Sequence, residues 1–179
     1  MKPPKLLKDG REIMLSTMIK TTVTAVLLTS AVASFAGDLT VSKNITVNAS
    51  PETTWKMIGN FNHLDVWHPV VVASKLLQGN GQTAGAERLL TLGNGATITE
   101  DLLSLNNGAK SYTYKIVESP LPIANYVSTI SVSSAADGKS TVTWSSSFDA
   151  KGVENKKAVD TIAGIYDAGL NNLDKHFNK

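Results

Sequence analysis

Between Leu39 and Phe148 apolar and polar residues mostly alternate, and after Glu154 the period lengthens to that of a helix. Leu39, Val41, Lys43, Ile45 and Val47 alternate with polar neighbours, which predicts a strand with one buried face. Ser50-Pro51-Glu52 predicts a helix start: Ser50 as the N-cap, Pro51 in the first turn, and Glu52 where the helix dipole favours negative charge. Gly59-Asn60 ends that helix, and a second short helix or turn over 61–66 stops before His68-Pro69. Six strand patterns follow, at 70–77, 87–92, 96–105, 111–118, 126–133 and 141–148. Gly79-Asn80-Gly81, Asn94-Gly95, Asn107-Gly108 and Asp137-Gly138 supply the turns between them. Val159, Ile162, Ala163, Tyr166, Leu170, Leu173 and Phe177 then trace one face of a long amphipathic helix over 154–177. That face must be buried, and the only surface on offer is a sheet.

Hairpin registers follow from matching faces. Leu92 against Ala96 sets Leu90 opposite Ile98 and Arg88 opposite Glu100. In the next hairpin, Leu102 opposite Tyr112 sets Glu100 opposite Tyr114 and Ile98 opposite Ile116. In the last, Ile130 meets Trp144 and Tyr126 meets Phe148. One inward row then carries Arg88, Glu100 and Tyr114, an unusual place for charges. In the final helix Gly164 and Gly169 each cost about 1 kcal/mol against Ala, which predicts close approach or bending at both. The helix is expected to form the back wall of a cavity in its N-terminal half, around Ile162 and Tyr166, and to seal the core at Leu173 and Phe177.

Charge and composition narrow the function. Five of the 17 Lys/Arg and two of the 15 Asp/Glu fall in residues 1–36, so the remainder carries 12 basic against 13 acidic residues. That balance, with Arg88 as the only arginine after residue 36, argues against a nucleic-acid binder. The absence of cysteine removes disulfides, thiolate catalysis, covalent haem attachment and thiolate metal sites. The apolar run over 21–35 follows Lys20 and ends in Ser34-Phe35-Ala36, whose outer residues fit a signal-peptidase site. It is short for a membrane span. Residues 1–36 are therefore expected to be a secretory signal, with Met18 as a possible true start. Residues 37–179 would then form a single periplasmic or secreted domain with no stable membrane insertion.

Ala49-Ser50-Pro51-Glu52-Thr53-Thr54-Trp55, Gly59-Asn60-Phe61 and Val66-Trp67-His68-Pro69 resemble the opening of the START-like, or SRPBCC, superfamily, the polyketide cyclase/dehydrase and lipid-transport group. Gly85-Ala86-Glu87-Arg88, Gly95 through Leu102, and Tyr114 through Pro122 continue the resemblance, with Asn125-Tyr126 following. It covers about the whole chain after residue 36 and includes secreted members, one of them associated with methanol oxidation. The resemblance implies an α+β helix-grip fold. A curved seven-stranded antiparallel sheet would wrap around a long C-terminal helix, with two short helices after the first strand and an apolar cavity inside. It also implies that the loops beside Pro120 and near Gly93 line the cavity entrance. It implies no single reaction, because such folds host carriers, receptors and enzymes.

The expected ligand-binding residues are Trp67, Arg88, Leu90, Ile98, Glu100, Tyr112, Tyr114, Pro120, Pro122, Tyr126, Trp144, Ile162 and Tyr166. Arg88 and Glu100 read either as a ligand-orienting pair in an apolar pocket or as a structural cross-strand ion pair. Glu100 and His68 are the candidate acid–base groups, although no nucleophile accompanies His68 and a lone histidine is more often structural. His63, Asp65 and His68 make a poor metal set, because a spacing of five does not bring both imidazoles to one helical face. No metal and no cofactor are expected. Three functions remain: a binding or carrier protein for a small hydrophobic molecule, an accessory protein docking to a periplasmic redox enzyme, and a cyclase- or dehydratase-like enzyme.

Overall fold

The computed structural model describes residues 37–179. The expected signal segment, its cleavage after Ala36 and the alternative start at Met18 lie outside the described residues. The elements are β1 (Leu39–Val47), α1 (Pro51–Ile58), α2 (Leu64–Trp67) and β2 (Val71–Gln78), then β3 (Glu87–Leu92), β4 (Thr97–Asn106), β5 (Ser111–Glu118) and β6 (Ile123–Ser134), and finally β7 (Ser140–Ala150) and α3 (Asn155–Phe177). The strands form one curved antiparallel sheet in the order β1-β7-β6-β5-β4-β3-β2, so α1 and α2 carry the chain from one edge to the other. This is the helix-grip arrangement that the resemblance implies.

Local chemistry sets the element ends. Ser50 Oγ accepts the Thr53 amide at 3.2 Å and caps α1, with Pro51 in the first turn. The Trp55 indole then donates to Asn107 Oδ1 at 2.9 Å, which ties α1 to the β4–β5 turn. His68 donates from Nε2 to the Ile165 carbonyl at 2.9 Å and Asn172 donates to the Trp67 carbonyl at 3.0 Å, so the end of α2 is pinned to α3. Gly169 makes that junction possible. A Cβ there would stand 2.6 Å from His68 Cδ2, 3.0 Å from Trp144 Cζ3 and 3.1 Å from Trp67 Cζ3. At Gly164 there is no close approach, since a Cβ at that position meets nothing within 4 Å.

The β3–β4 register is the expected one, with Arg88 opposite Glu100 and Leu90 opposite Ile98. The β4–β5 register is not. Leu102 pairs with Tyr114 and Glu100 with Ile116, while Tyr112 sits opposite Leu105. The loop occupies residues 107–110 with Lys110 at φ 50°, wider than a turn centred on Asn107-Gly108, and bulges interrupt the ladder on either side of Glu100-Leu102. Between the bulges the displacement is two residues, so Glu100 and Leu102 keep their face while the expected row of Arg88, Glu100 and Tyr114 becomes Arg88, Glu100 and Ile116. Beyond Leu102 it is three, which turns Leu105 towards the core opposite Tyr112. Between β6 and β7, Ile130 pairs with Trp144 as expected. A bulge between Ala124 and Val127 takes Tyr126 out of the ladder with Phe148, although their rings still lie 6.1 Å apart.

Candidate functional site

The inner face of the sheet is built from alternate residues of β3 to β7. Arg88, Leu90, Ile98, Glu100, Leu102, Tyr112, Tyr114, Tyr126, Ser128, Ile130, Trp144 and Phe148 are all buried. Helix α3 packs chiefly on β1 and β7, fastened by Lys43 Nζ to Asp167 at 3.0 Å. The concave surface of β3–β5 is therefore left at longer range from the helix. A cavity of about 70 Å3 opens there. Leu90, Leu92, Ile98, Glu100, Tyr114, Ile116, Tyr126 and Trp144 line it from the sheet, and Ile162 and Ile165 from α3. Leu64, His68, Val70, Val71 and Leu121 close the remaining side.

Beside it lies an open groove of about 810 Å3 lined by Leu103, Ile116, Val117, Ile123, Asn125 and Tyr126 among others. Its origin is the bulge in β6. Asn125 takes φ 53° and donates from Nδ2 to Asp149 Oδ2 at 2.7 Å, which steers β6 away from β5 beyond the Lys115–Val127 pair. Ile116 and Tyr126 line both spaces and form the partition between them.

Eight of the residues expected from the sequence line the cavity: His68, Leu90, Ile98, Glu100, Tyr114, Tyr126, Trp144 and Ile162. Trp67, Arg88, Tyr112 and Tyr166 are buried but stand behind that lining. Pro120 is exposed and Pro122 half-buried, and it is Leu121 between them that reaches the cavity. Near Gly93, the cavity is reached by Leu92 and Val70 instead. Ile116, Leu121 and Ile165 were not among the expected residues. For Leu121 the flanking prolines were the available signal, since they fix a loop that turns one side chain inward.

Arg88 and Glu100 form a buried pair, with Glu100 Oε2 at 2.7 Å from Arg88 Nε and 2.6 Å from Nη2. The guanidinium lies 4.0 Å from the Phe61 ring centroid and 5.4 Å from that of Tyr114, so its remaining faces meet aromatic surface. Burial opposes the charge on Arg88, but Glu100, with Tyr112 and Tyr114, more than offsets this and the guanidinium is held above its ordinary value. The Glu100 carboxyl is pushed upward by burial, with Arg88 opposing. Because Arg88 lies behind the lining and Glu100 lies in it, the pair presents only its acidic member to the cavity.

A hydroxyl network backs the opposite wall. Tyr126 OH lies 2.6 Å from Tyr166 OH, Tyr166 OH lies 3.0 Å from Ser128 Oγ, and the Trp144 indole donates to both Ser128 Oγ and Tyr114 OH. The Trp144 and Tyr166 rings stack at 4.3 Å. Burial raises Tyr166 to about 12 and Tyr114 and Tyr126 well above 10, so all three phenols are neutral. Burial likewise lowers the proton affinity of His68, against the opposing hydrogen bond to Ile165. His68 is thus a neutral imidazole that fastens α2 to α3. His63 sits at a distance from this chemistry, with Nε2 3.4 Å from Asn60 Nδ2, and among the described residues no group of three or more potential ligands could hold a metal ion.

Comparisons with known proteins agree with this fold. The protein XoxI from Bacillus cereus is 35% identical, with a TM-score of 0.74 over 78% of this chain and 96% of that one. An uncharacterized protein from Bacillus thuringiensis is 34% identical, with a TM-score of 0.73 over 79% of this chain and 100% of that one. A protein from Thermobifida fusca is 28% identical, with a TM-score of 0.69 over 76% of this chain and 91% of that one. No curated protein matches the chain. A family model matches residues 38–178, and the chain belongs to the polyketide cyclase/dehydrase and lipid transport family.

Proposed function

We propose that the protein binds and carries a small hydrophobic molecule in the cavity between sheet and α3. The observation that carries this reading is a small, mainly apolar space between sheet and α3 that shares two lining side chains, Ile116 and Tyr126, with a neighbouring larger groove. Ligand sites commonly measure about 300–1,000 Å3, so a guest larger than the cavity of about 70 Å3 would have to displace part of its lining, with Ile116 and Tyr126 the side chains it shares with the groove. Tyr126 is the movable member, held at its tip by one hydrogen bond to Tyr166. The apolar run before residue 37 supports a periplasmic or secreted setting for this carrier.

A neutral, structurally engaged His68 and a Glu100 tied to Arg88 favour binding over catalysis. Native mass spectrometry after incubation with a lipid extract tests the proposal. A retained apolar guest is expected, and a protein that stays empty across such extracts overturns it.

A further inference from the structure

Hydrogen bonds around the cavity can be assigned a direction, and the assignment leaves a definite set of unused groups. Ser128 Oγ donates to the Ser145 carbonyl at 2.9 Å, and a hydroxyl has only one hydrogen to give. The 3.0 Å contact between Ser128 and Tyr166 therefore runs from Tyr166 to Ser128. With that hydrogen committed, the 2.6 Å contact must run from Tyr126 to Tyr166. The Trp144 N–H, which can only donate, is shared between Ser128 Oγ at 3.0 Å and Tyr114 OH at 3.1 Å.

Two acceptors and one donor are left over among the residues lining the cavity. His68 gives its Nε2 hydrogen to the Ile165 carbonyl, so Nδ1 is a bare lone pair, buried and without a partner. Glu100 takes both Arg88 contacts on Oε2, and among the described residues Oε1 accepts no hydrogen bond. Paired at this distance with a guanidinium, the carboxylate is an anion and offers acceptors only. The remaining donor is the Tyr114 hydroxyl, whose hydrogen has no acceptor among the described residues. No lysine or arginine lines the cavity.

Resting on the ligand-binding reading above, we infer that the cavity selects an uncharged apolar ligand bearing a hydroxyl or N–H donor and rejects carboxylates. A donor would satisfy a buried acceptor that is otherwise unpaired, whereas a carboxylate would be desolvated beside Glu100, whose counter-charge Arg88 stands outside the lining and is already engaged.

Phenol, toluene and benzoate separate the alternatives, because they share one ring and differ in the polar group. Each is titrated into the purified protein at neutral pH, with binding read from chemical-shift changes of the cavity-lining residues. Phenol is expected to bind about tenfold tighter than toluene or better, and benzoate to show no binding at concentrations that saturate phenol. Toluene matching phenol, or benzoate matching phenol, overturns the donor rule and leaves ligand binding standing. Silence of all three, together with an empty protein after lipid-extract incubation, overturns both.

The single substitution Glu100→Gln strands Arg88 and risks unfolding, so the second arm is the double variant Arg88→Met/Glu100→Leu, which removes the pair together. With folding checked by circular dichroism, its preference for phenol over toluene is expected to fall at least threefold. An unchanged preference contradicts the role of Glu100.

Discussion

The junction of α2, α3 and β7 makes a sharp prediction through two glycines of one helix. Replacing a helical Gly by Ala gains about 1 kcal/mol of helix propensity when nothing else changes. At Gly164 the new methyl meets open space, so Gly164→Ala should stabilise the protein by close to that amount. At Gly169 the methyl would stand 2.6 Å from His68 Cδ2 and 3.0 Å from Trp144 Cζ3. Neither ring is free to move aside: His68 is held by the Ile165 carbonyl, and Trp144 is stacked on Tyr166 at 4.3 Å. Overpacking of this kind costs about 1–3 kcal/mol, so Gly169→Ala should lose up to about 2 kcal/mol after its propensity gain and gain nothing at best. For a domain of this size that separates the two midpoints by roughly 3–10 °C. Thermal and urea unfolding of both variants measure it. Equal stabilisation by the two substitutions would refute the close approach of α3 to the Trp67-His68 segment.

Three further outcomes follow from the buried polar groups. Arg88→Met and Glu100→Leu should each cost about 3–5 kcal/mol in urea unfolding while the double variant stays within about 1–2 kcal/mol of the parent, because each single change strands a charge. Tyr166→Phe should cost about 1–2 kcal/mol more than Tyr126→Phe, since Tyr166 both donates to Ser128 and accepts from Tyr126. Stability should fall as pH drops below about 6.5, because burial holds the proton affinity of His68 below that of the unfolded chain, which then takes up the extra proton. The slope contributed approaches about 1.4 kcal/mol per pH unit, and a pH series of urea midpoints in which His68→Gln keeps the same acid slope would exclude this histidine as its source.

Much of this architecture was legible in the chain because period-2 and period-3.6 patterns report directly on buried faces. Arg88 opposite Glu100 could be read because the intervening Gly93–Ala96 segment leaves one register that matches both faces. The β4–β5 register could not be. The two-residue shift at Glu100-Leu102 preserves their face, and the deciding features, a four-residue loop and the bulges that add a third residue on the turn side, cannot be read from the alternation. Gly164 and Gly169 show the same limit, since identical residues in one helix gave one signal and only their neighbours tell them apart. About half of the candidate site was visible, six residues as inward-facing positions on the strands together with His68 and Ile162. The contributions of Leu121 and Ile165, and a cavity of about 70 Å3, depend on where a loop and α3 come to rest against the sheet. That is a matter of fractions of an ångström in packing, which a pattern of apolar residues does not encode.

The central claim is that an apolar guest lies between sheet and α3, behind Ile116 and Tyr126. Intermolecular nuclear Overhauser contacts between a bound apolar ligand and the isoleucine, leucine and valine methyl groups test it most directly. The account predicts contacts to Ile98 and Ile162 inside the cavity, whereas contacts confined to the groove residues Leu103 and Val117 would contradict it.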